Sequence, residues 1–219
     1  MFLSACCIAA LMTCTLSHPV EIERVVAFIE NHREEVADLE RQLGKEESLM
    51  ALAIVAPEIS HYRQMLDMLE IRTLCLLYVQ QGVGDFSIGP FQMKPSFAEH
   101  IEREVDRNSL LRERFGKLLI TEGTPREKRR TRIERLIEPG WQTSYLAAFI
   151  CLVRESTQEV APSTPEATVA YWATLYNAGM DLTQEAVKKK QSLKEFPRMD
   201  RKYNYAELAV GYYKFLIKR

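Results

Sequence analysis

The chain has 219 residues, of which 47% are hydrophobic, nine are glycine and nine are proline, and its formal net charge is −1. This length is enough for one sizeable domain with a proper core, and the scarcity of glycine and proline favours long helices over a sandwich of many short strands. A net charge this close to zero provides no general attraction to nucleic acid, so we expect no nucleic-acid partner.

The N-terminal segment is uncharged from Phe2 to Leu16, and Ser17–Pro19 then interrupt it. The segment is too short to span a bilayer as a helix, but its length suits the apolar part of a secretory signal peptide. We therefore predict a signal peptide over residues 1–18, export to the periplasm or cell envelope, and one helical domain over residues 19–219. An uncleaved leader, or a leader lipidated at Cys14, would instead associate the protein with a membrane.

Apolar residues then recur at helical spacing along most of the chain. Pro57 is expected to interrupt one helix and start the next, which would place Glu58 at a bend. Glycine and proline recur over Gly82–Pro95, where we expect a small hairpin or an irregular loop. The predicted helices are, in chain order, Val20–Leu43, Glu46–Ala56, Tyr62–Gln80, Phe97–Val105, Ser109–Ile120, Pro125–Ile137, Trp141–Ser156, Pro165–Asn177 and Tyr205–Ile217.

The helix predicted at Pro125–Ile137 is rich in arginine and lysine. We interpret this charge as a solvated helix face. The functional alternative is contact with an acidic polymer, such as a cell-wall glycan that carries carboxylates.

Two cysteines, Cys75 and Cys151, lie outside the predicted leader. Both have apolar helical neighbours, where cysteine usually behaves as a small hydrophobe, although a disulfide between them is conceivable after export. The histidines are scattered and no Cys/His spacing indicates a metal site, so we expect neither a metal nor a cofactor.

Three short patches carry the functional signal. An apolar run from Ala53 ends in Glu58, a polar turn follows at Ser87–Met93, and a predicted helix ends much later in Tyr176–Gly179. In this order the patches resemble the lytic transglycosylase and goose-type lysozyme superfamily. Its patterns are a glutamate at a helix end, then S-x-G-x-x-Q-[MIL], then [AL]-Y-N-A-G.

This resemblance implies a mainly α, lysozyme-like domain with a small loop near residues 82–95. In the family, the polar loop and the late tyrosine line the glycan groove beside the acid, and the tyrosine reaches the acid or the substrate. The implied substrate-binding residues are Ser87, Gly89, Gln92, Met93, Tyr176 and Asn177.

Cleavage of a glycosidic bond needs an acid that protonates the leaving oxygen, and apolar burial raises the pKa of a carboxyl enough for that role. Glu58 has apolar neighbours on both sides in the sequence, and the resemblance assigns the acid to it. The separation between Glu58 and Ser87 is longer than in ordinary members of the family, so Glu70, which is closer to Ser87, is the alternative acid.

The expected activity is that of a lytic transglycosylase or muramidase. A single catalytic glutamate would cleave the bond between N-acetylmuramic acid and N-acetylglucosamine in peptidoglycan strands. Asp85 leaves a water-using lysozyme mechanism open. One alternative is a lysozyme-like protein that binds glycan or an envelope partner without cleaving it, and another is a helical interaction protein without a glycan site.

Overall fold

A computed structural model describes residues 19–62, 64–157, 162–198 and 201–219, apart from the side chains at 64–72, 156 and 198. The predicted signal peptide over residues 1–18 lies outside these ranges, so it stays a prediction. The structure is 75% helical, which confirms the expected mainly α fold.

The helices are α1 (Pro19–Asn31), α2 (Arg33–Leu43), α3 (Lys45–His61), α4 (Gln64–Gln81), α5 (Pro95–Arg107), α6 (Ser109–Phe115), α7 (Pro125–Ile137), α8 (Pro139–Thr157), α9 (Pro165–Ala178), α10 (Gln184–Gln191) and α11 (Tyr205–Leu216). A 3₁₀ turn at Gly116–Leu118 follows α6. The strands β1 (Phe196–Arg198) and β2 (Arg201–Tyr203) form an antiparallel hairpin in which Phe196 pairs with Tyr203.

Helix α3 lies at the centre of the fold. Each side chain from Met50 to Ala56 is at most 6% exposed, because α1, α2, α8, α9 and α11 all pack against this helix. A helix that is apolar on every side is stable only when it is surrounded in this way. The apolar run before Glu58 is therefore part of the core. Glu58 follows it on the same helix and is only partly exposed.

The bend predicted at Pro57 is wrong, because α3 continues through Pro57 to His61. Proline inside a helix removes one main-chain hydrogen bond and costs about 3 kcal/mol. Seven consecutive side chains from Met50 to Ala56 are buried. Burial stabilises the fold by roughly 1.5–3 kcal/mol for each large apolar side chain, so its total contribution exceeds the cost of the proline. Glu58 consequently lies on a continuous helix and not at a joint.

Other differences from the predicted elements are smaller. The helix predicted over Val20–Leu43 is divided at His32, and the helix predicted to reach Ile120 ends in the 3₁₀ turn. Helix α10 and the β1–β2 hairpin were not predicted. Helix α10 buries only Val187, so its sequence has too few apolar positions to show a helical period.

The Gly82–Pro95 stretch forms the small loop that was expected. Ile88 and Met93 exchange two main-chain hydrogen bonds of 2.9 and 3.0 Å in a single antiparallel bridge. Gly89 and Gln92, which lie inside this bridge, have positive φ angles of 68° and 51°. Backbone of this kind makes a tight turn whose short polar side chains can lie beside a ligand.

The basic residues of α7 are only partly a solvated face: Arg126 and Arg130 are exposed, whereas Arg132 is buried. Lys128 binds the carbonyl oxygen of Thr121 at 3.0 Å, and Arg129 binds that of Val79 at 3.0 and 3.2 Å. Arg135 binds the carbonyl oxygen of Leu118 at 2.6 Å. These three cations therefore bind neighbouring segments of the fold, while contact of the exposed ones with an acidic polymer stays a prediction.

Cys75 and Cys151 are both free thiols. The Cys151 sulfur accepts a hydrogen bond of 3.3 Å from Arg114, so the conceivable disulfide between the two cysteines is absent from the structure. Across residues 19–219, as far as the structure describes them, no helix is both long and apolar enough to cross a membrane.

Candidate active site

A cleft of about 610 Å³ opens where the end of α3, the 82–95 loop, the first turns of α5 and the end of α9 meet. This volume is within the range of small-molecule sites, about 300–1,000 Å³. The predicted site residues that line it are Glu58, Ser87, Gln92, Met93, Tyr176 and Asn177. Three patches that are far apart in the sequence therefore meet at one cleft.

Of the other two predicted residues, one does not line the cleft and one has no described side chain. Gly89 belongs to the loop, but it is buried on the side that faces α8 and does not line the cleft. Glu70 belongs to α4, but its side chain lies outside the described residues. Of the two candidate acids, only Glu58 has a described side chain, and that side chain lines the cleft.

The Glu58 carboxyl is held largely in its protonated form. Burial raises its pKa from 4.5 to about 8, although a hydrogen bond with Tyr205 and the charge of Lys94 both lower it. The residue keeps partial exposure because its side chain reaches the cleft. At neutral pH this group is a proton donor within reach of a bound ligand.

Tyr205 connects Glu58 to the last helix of the fold. Its hydroxyl donates a 2.9 Å hydrogen bond to the carbonyl oxygen of Ile54, one turn before Glu58 on α3, and it also hydrogen-bonds the Glu58 side chain. A phenol has a single proton, so donation to Ile54 leaves the Tyr205 oxygen as an acceptor for protonated Glu58. Nothing in the sequence indicates this role, since Tyr205 has only the pattern of an apolar residue at the start of a helix.

Tyr176 lies close enough to Glu58 for the carboxylate charge to raise the tyrosine pKa, although burial raises it more. Its hydroxyl, however, donates to the carbonyl oxygen of Phe91 at 2.6 Å. The ring packs edge-on against Phe97 and Phe149, at centroid distances of 5.2 and 5.5 Å. Tyr176 thus fixes the loop beside the acid and presents its ring to the cleft.

Gln142 on α8 holds the loop from below. Its amide oxygen accepts from the main-chain N–H of Phe91 at 2.9 Å, and its amide nitrogen donates to the carbonyl oxygens of Ile88 and Leu136 at 2.6 and 2.8 Å. A Cβ on Gly89 would lie 2.4 Å from this amide nitrogen. Gly89 is therefore required by packing and not by substrate. The signal that could have revealed Gln142 is its polar side chain in a strongly apolar helix.

Charged side chains line the rest of the cleft, and Asp85, the carboxylate that would serve a water-using mechanism, is among them. The Asp85 carboxylate accepts from the Ser96 hydroxyl at 2.7 Å and lies 3.5 Å from the Lys94 ammonium. His100 and Arg103 follow on the same face of α5. Charged side chains therefore line the cleft from Asp85 and Lys94 along α5 to Arg103, and the charge of Lys94 acts on Glu58.

Comparisons of this chain with models of protein families, with curated proteins and with solved structures find no match. Among the side chains that the structure describes, no cluster of three His, Cys, Asp or Glu residues is placed to hold a metal ion. A fold by itself does not determine function, so function here is argued from the cleft.

Proposed function

We propose that the protein is a peptidoglycan-cleaving enzyme, a lytic transglycosylase or muramidase, with Glu58 as its single catalytic acid. The observation that supports this most directly is the Glu58 carboxyl, protonated at neutral pH by burial and located in a cleft of ligand size. The three sequence patches that resemble the superfamily all contribute residues to this cleft. The proposed partner is the glycan strand, and the proposed location is the cell envelope.

In this mechanism Glu58 donates its proton to the glycosidic oxygen between N-acetylmuramic acid and N-acetylglucosamine. The bond from the anomeric carbon to that oxygen breaks, and its electron pair stays on the oxygen. The ionised Glu58 then accepts a proton from the nucleophile that attacks the anomeric carbon. The 6-hydroxyl of the same sugar gives a 1,6-anhydro product, whereas water gives a reducing end.

Tyr205 supports both states of the acid. While Glu58 is protonated, the Tyr205 hydroxyl donates to Ile54. Once Glu58 has lost its proton, the same hydroxyl can donate to the carboxylate, which is the interaction that lowers the Glu58 pKa. A hydrogen bond to the charged form favours that form, so Tyr205 stabilises the carboxylate that is present after bond cleavage.

The remaining carboxylate beside the loop, Asp85, has both of its oxygens in contact with other groups, Ser96 and Lys94. A route that uses the sugar's own 6-hydroxyl needs no second carboxylate, which favours the transglycosylase. Mass spectrometry of the released muropeptides separates the two routes, since the anhydro product is lighter by one water.

Replacing Glu58 with glutamine tests the assignment, because glutamine keeps the shape of the side chain and removes the acid. We expect release of soluble muropeptides from purified sacculi to fall at least about 100-fold, which is typical for loss of a general acid. Glu46→Gln, at the exposed start of the same helix, is the matched control. Glu70→Gln is expected to retain activity.

Lysis by Glu58→Gln at the wild-type rate would exclude Glu58 as the acid. Wild-type protein that cosediments with sacculi and releases nothing would favour the non-catalytic glycan-binding alternative. For the active enzyme, kcat/KM is expected to fall as the pH rises through about 8, because the acid then loses its proton.

A further inference from the structure

A row of polar and charged side chains runs along one face of α5 inside the cleft. Ser96, Glu99, His100 and Arg103 are spaced at three- and four-residue steps, and all four line the cleft. At 1.5 Å per residue this row extends about 10 Å from the start of the helix. Charged side chains can hydrogen-bond neutral sugar hydroxyls, but a guanidinium and a carboxylate that lie close together are complementary to a ligand with both charges.

Two opposite charges meet at the far end of this row. Arg103 donates a 2.9 Å hydrogen bond to Nδ1 of His100, and the Asp181 carboxylate lies 3.5 Å from the same nitrogen. Arg103 belongs to α5, whereas Asp181 follows the end of α9 on the other wall of the cleft. His100 therefore fixes the position of Arg103 by accepting its hydrogen bond, and the Asp181 carboxylate lies close to this pair.

Both charged groups remain accessible to a ligand. The side chains of Arg103 and Asp181 are 49% and 86% exposed, whereas that of His100 is 18% exposed. Glu104 lies 3.6 Å from Arg103, but it also binds Arg107 at 2.9 Å, so it does not neutralise Arg103 alone. The guanidinium fork suits a carboxylate, and an aspartate suits an ammonium group.

We propose that Arg103, positioned by His100, and Asp181 beside it bind a zwitterionic amino-acid group on the peptide substituents of the glycan. The carboxylate of that group lies on Arg103 and its ammonium group lies on Asp181. This proposal rests on the proposed function and names the part of peptidoglycan that the charged half of the cleft recognises. A diamino acid with a free amino-carboxylate end, such as diaminopimelate, has the required chemistry.

The test compares two ligands in the Glu58→Gln background, which prevents turnover. One ligand is a glycan strand that carries diaminopimelate-containing tetrapeptides, and the other is the same strand after an amidase has removed its peptides. Calorimetry gives the Kd of each. We expect Arg103→Gln and Asp181→Asn each to weaken binding of the peptide-bearing strand about tenfold, and thus to reduce the preference for peptides.

A third ligand separates the two charges. Acetylation of the free stem amine removes the ammonium and leaves the carboxylate. For this ligand we expect Asp181→Asn to leave the Kd unchanged, whereas Arg103→Gln should still raise it. Asp106 lies on the same helix without lining the cleft, so Asp106→Asn should keep the wild-type preference.

Equal Kd values for peptide-bearing and stripped strands, or an unchanged preference in both site variants, would overturn the proposal. A separate cleavage assay on the wild-type chain distinguishes this result from failure of the enzyme proposal. Absence of released muropeptides counts against catalysis by Glu58, while the Kd comparison still decides whether the zwitterion site exists.

Discussion

The Tyr176 hydroxyl donates a 2.6 Å hydrogen bond to the main-chain carbonyl oxygen of Phe91, 85 residues away in the chain. Gln142 accepts from the N–H of the same residue, Phe91, at 2.9 Å. Gln142 on α8 thus binds the main-chain N–H of Phe91, and Tyr176 on α9 binds its carbonyl oxygen, at the tip of the loop. The position of the loop relative to Glu58 is therefore set by two helices and not by the loop itself.

Replacing Tyr176 with phenylalanine removes the bond to Phe91 and keeps the ring packing. We expect the free energy of unfolding to fall by about 1 kcal/mol, the net value of a typical hydrogen bond. We also expect kcat/KM for sacculi to fall about tenfold, since misplacement of a binding group by a small distance weakens catalysis strongly. Urea denaturation and a turbidity assay measure the two effects.

Tyr171→Phe is the control for this change. Tyr171 lies on the same helix, is half-buried and does not line the cleft. Removal of its hydroxyl should therefore leave kcat/KM near the wild-type value. If Tyr176→Phe loses stability without losing activity, the loop position does not limit the reaction.

Much of this cleft could be predicted from the sequence because three segments that line it have recognisable local sequence patterns. Glu58, Gln92 and Tyr176 each stand in a short patch with recognisable neighbours. The residues that complete the site have no such context. Tyr205 and Gln142 act through main-chain carbonyls on other elements, and such partners depend on tertiary packing.

Local rules also failed where packing outweighs them. Pro57 has the sequence context of a helix boundary, yet the buried α3 continues through it. The basic residues of α7 have the pattern of a solvated face, yet Arg129 and Arg135 bind carbonyl oxygens of neighbouring segments. Both errors have one cause, since the deciding contacts come from segments distant in the sequence.

The raised pKa of Glu58 makes stability depend on pH in a defined direction. The folded protein holds this proton up to about pH 8, whereas the unfolded chain releases it near pH 4.5. Between these values the folded state binds more protons, so the free energy of unfolding falls as pH rises, by at most about 1.4 kcal/mol per pH unit. Partial exposure of the side chain makes the total loss roughly a few kcal/mol.

Glu58→Gln cannot lose this proton, so it isolates the effect from every other titrating group. Urea denaturation of both proteins at pH 5 and pH 8 should show the variant gaining stability relative to wild type at the higher pH. Curves that stay parallel across this interval would mean that Glu58 is not held in its protonated form.

Gly89→Ala tests the close packing beneath the loop. The new methyl group would lie 2.4 Å from the Gln142 amide nitrogen and 2.8 Å from the Leu136 carbonyl oxygen, in a residue with φ of 68°. Overpacking costs about 1–3 kcal/mol, and the left-handed backbone costs a further 1–2 kcal/mol, roughly. We expect a loss of roughly 2–5 kcal/mol in the free energy of unfolding, together with loss of lysis.

Gly44→Ala is the matched control, because Gly44 has a φ of 83° but no atom within 4 Å of an added Cβ. It should show a backbone cost alone, roughly 1–3 kcal/mol, because its φ of 83° and ψ of 164° form a conformation that residues with a Cβ rarely adopt. Equal losses in the two variants would mean that the loop moves away from Gln142 without difficulty.

Arg132 is the side chain that joins α5, and with it the charged wall of the cleft, to the rest of the fold. It binds both carboxylate oxygens of Glu102 at 2.9 and 2.5 Å, together with Glu99 and the Tyr78 hydroxyl at 2.9 and 2.8 Å. The side chains of Arg132 and Glu102 are only 9% and 10% exposed. Arg132→Met would leave a buried carboxylate without its cation, so we expect the free energy of unfolding to fall by about 3–5 kcal/mol. The exposed neighbour Arg130→Met should change it by less than about 0.5 kcal/mol, and similar losses in both variants would show that the buried pair contributes no special stability.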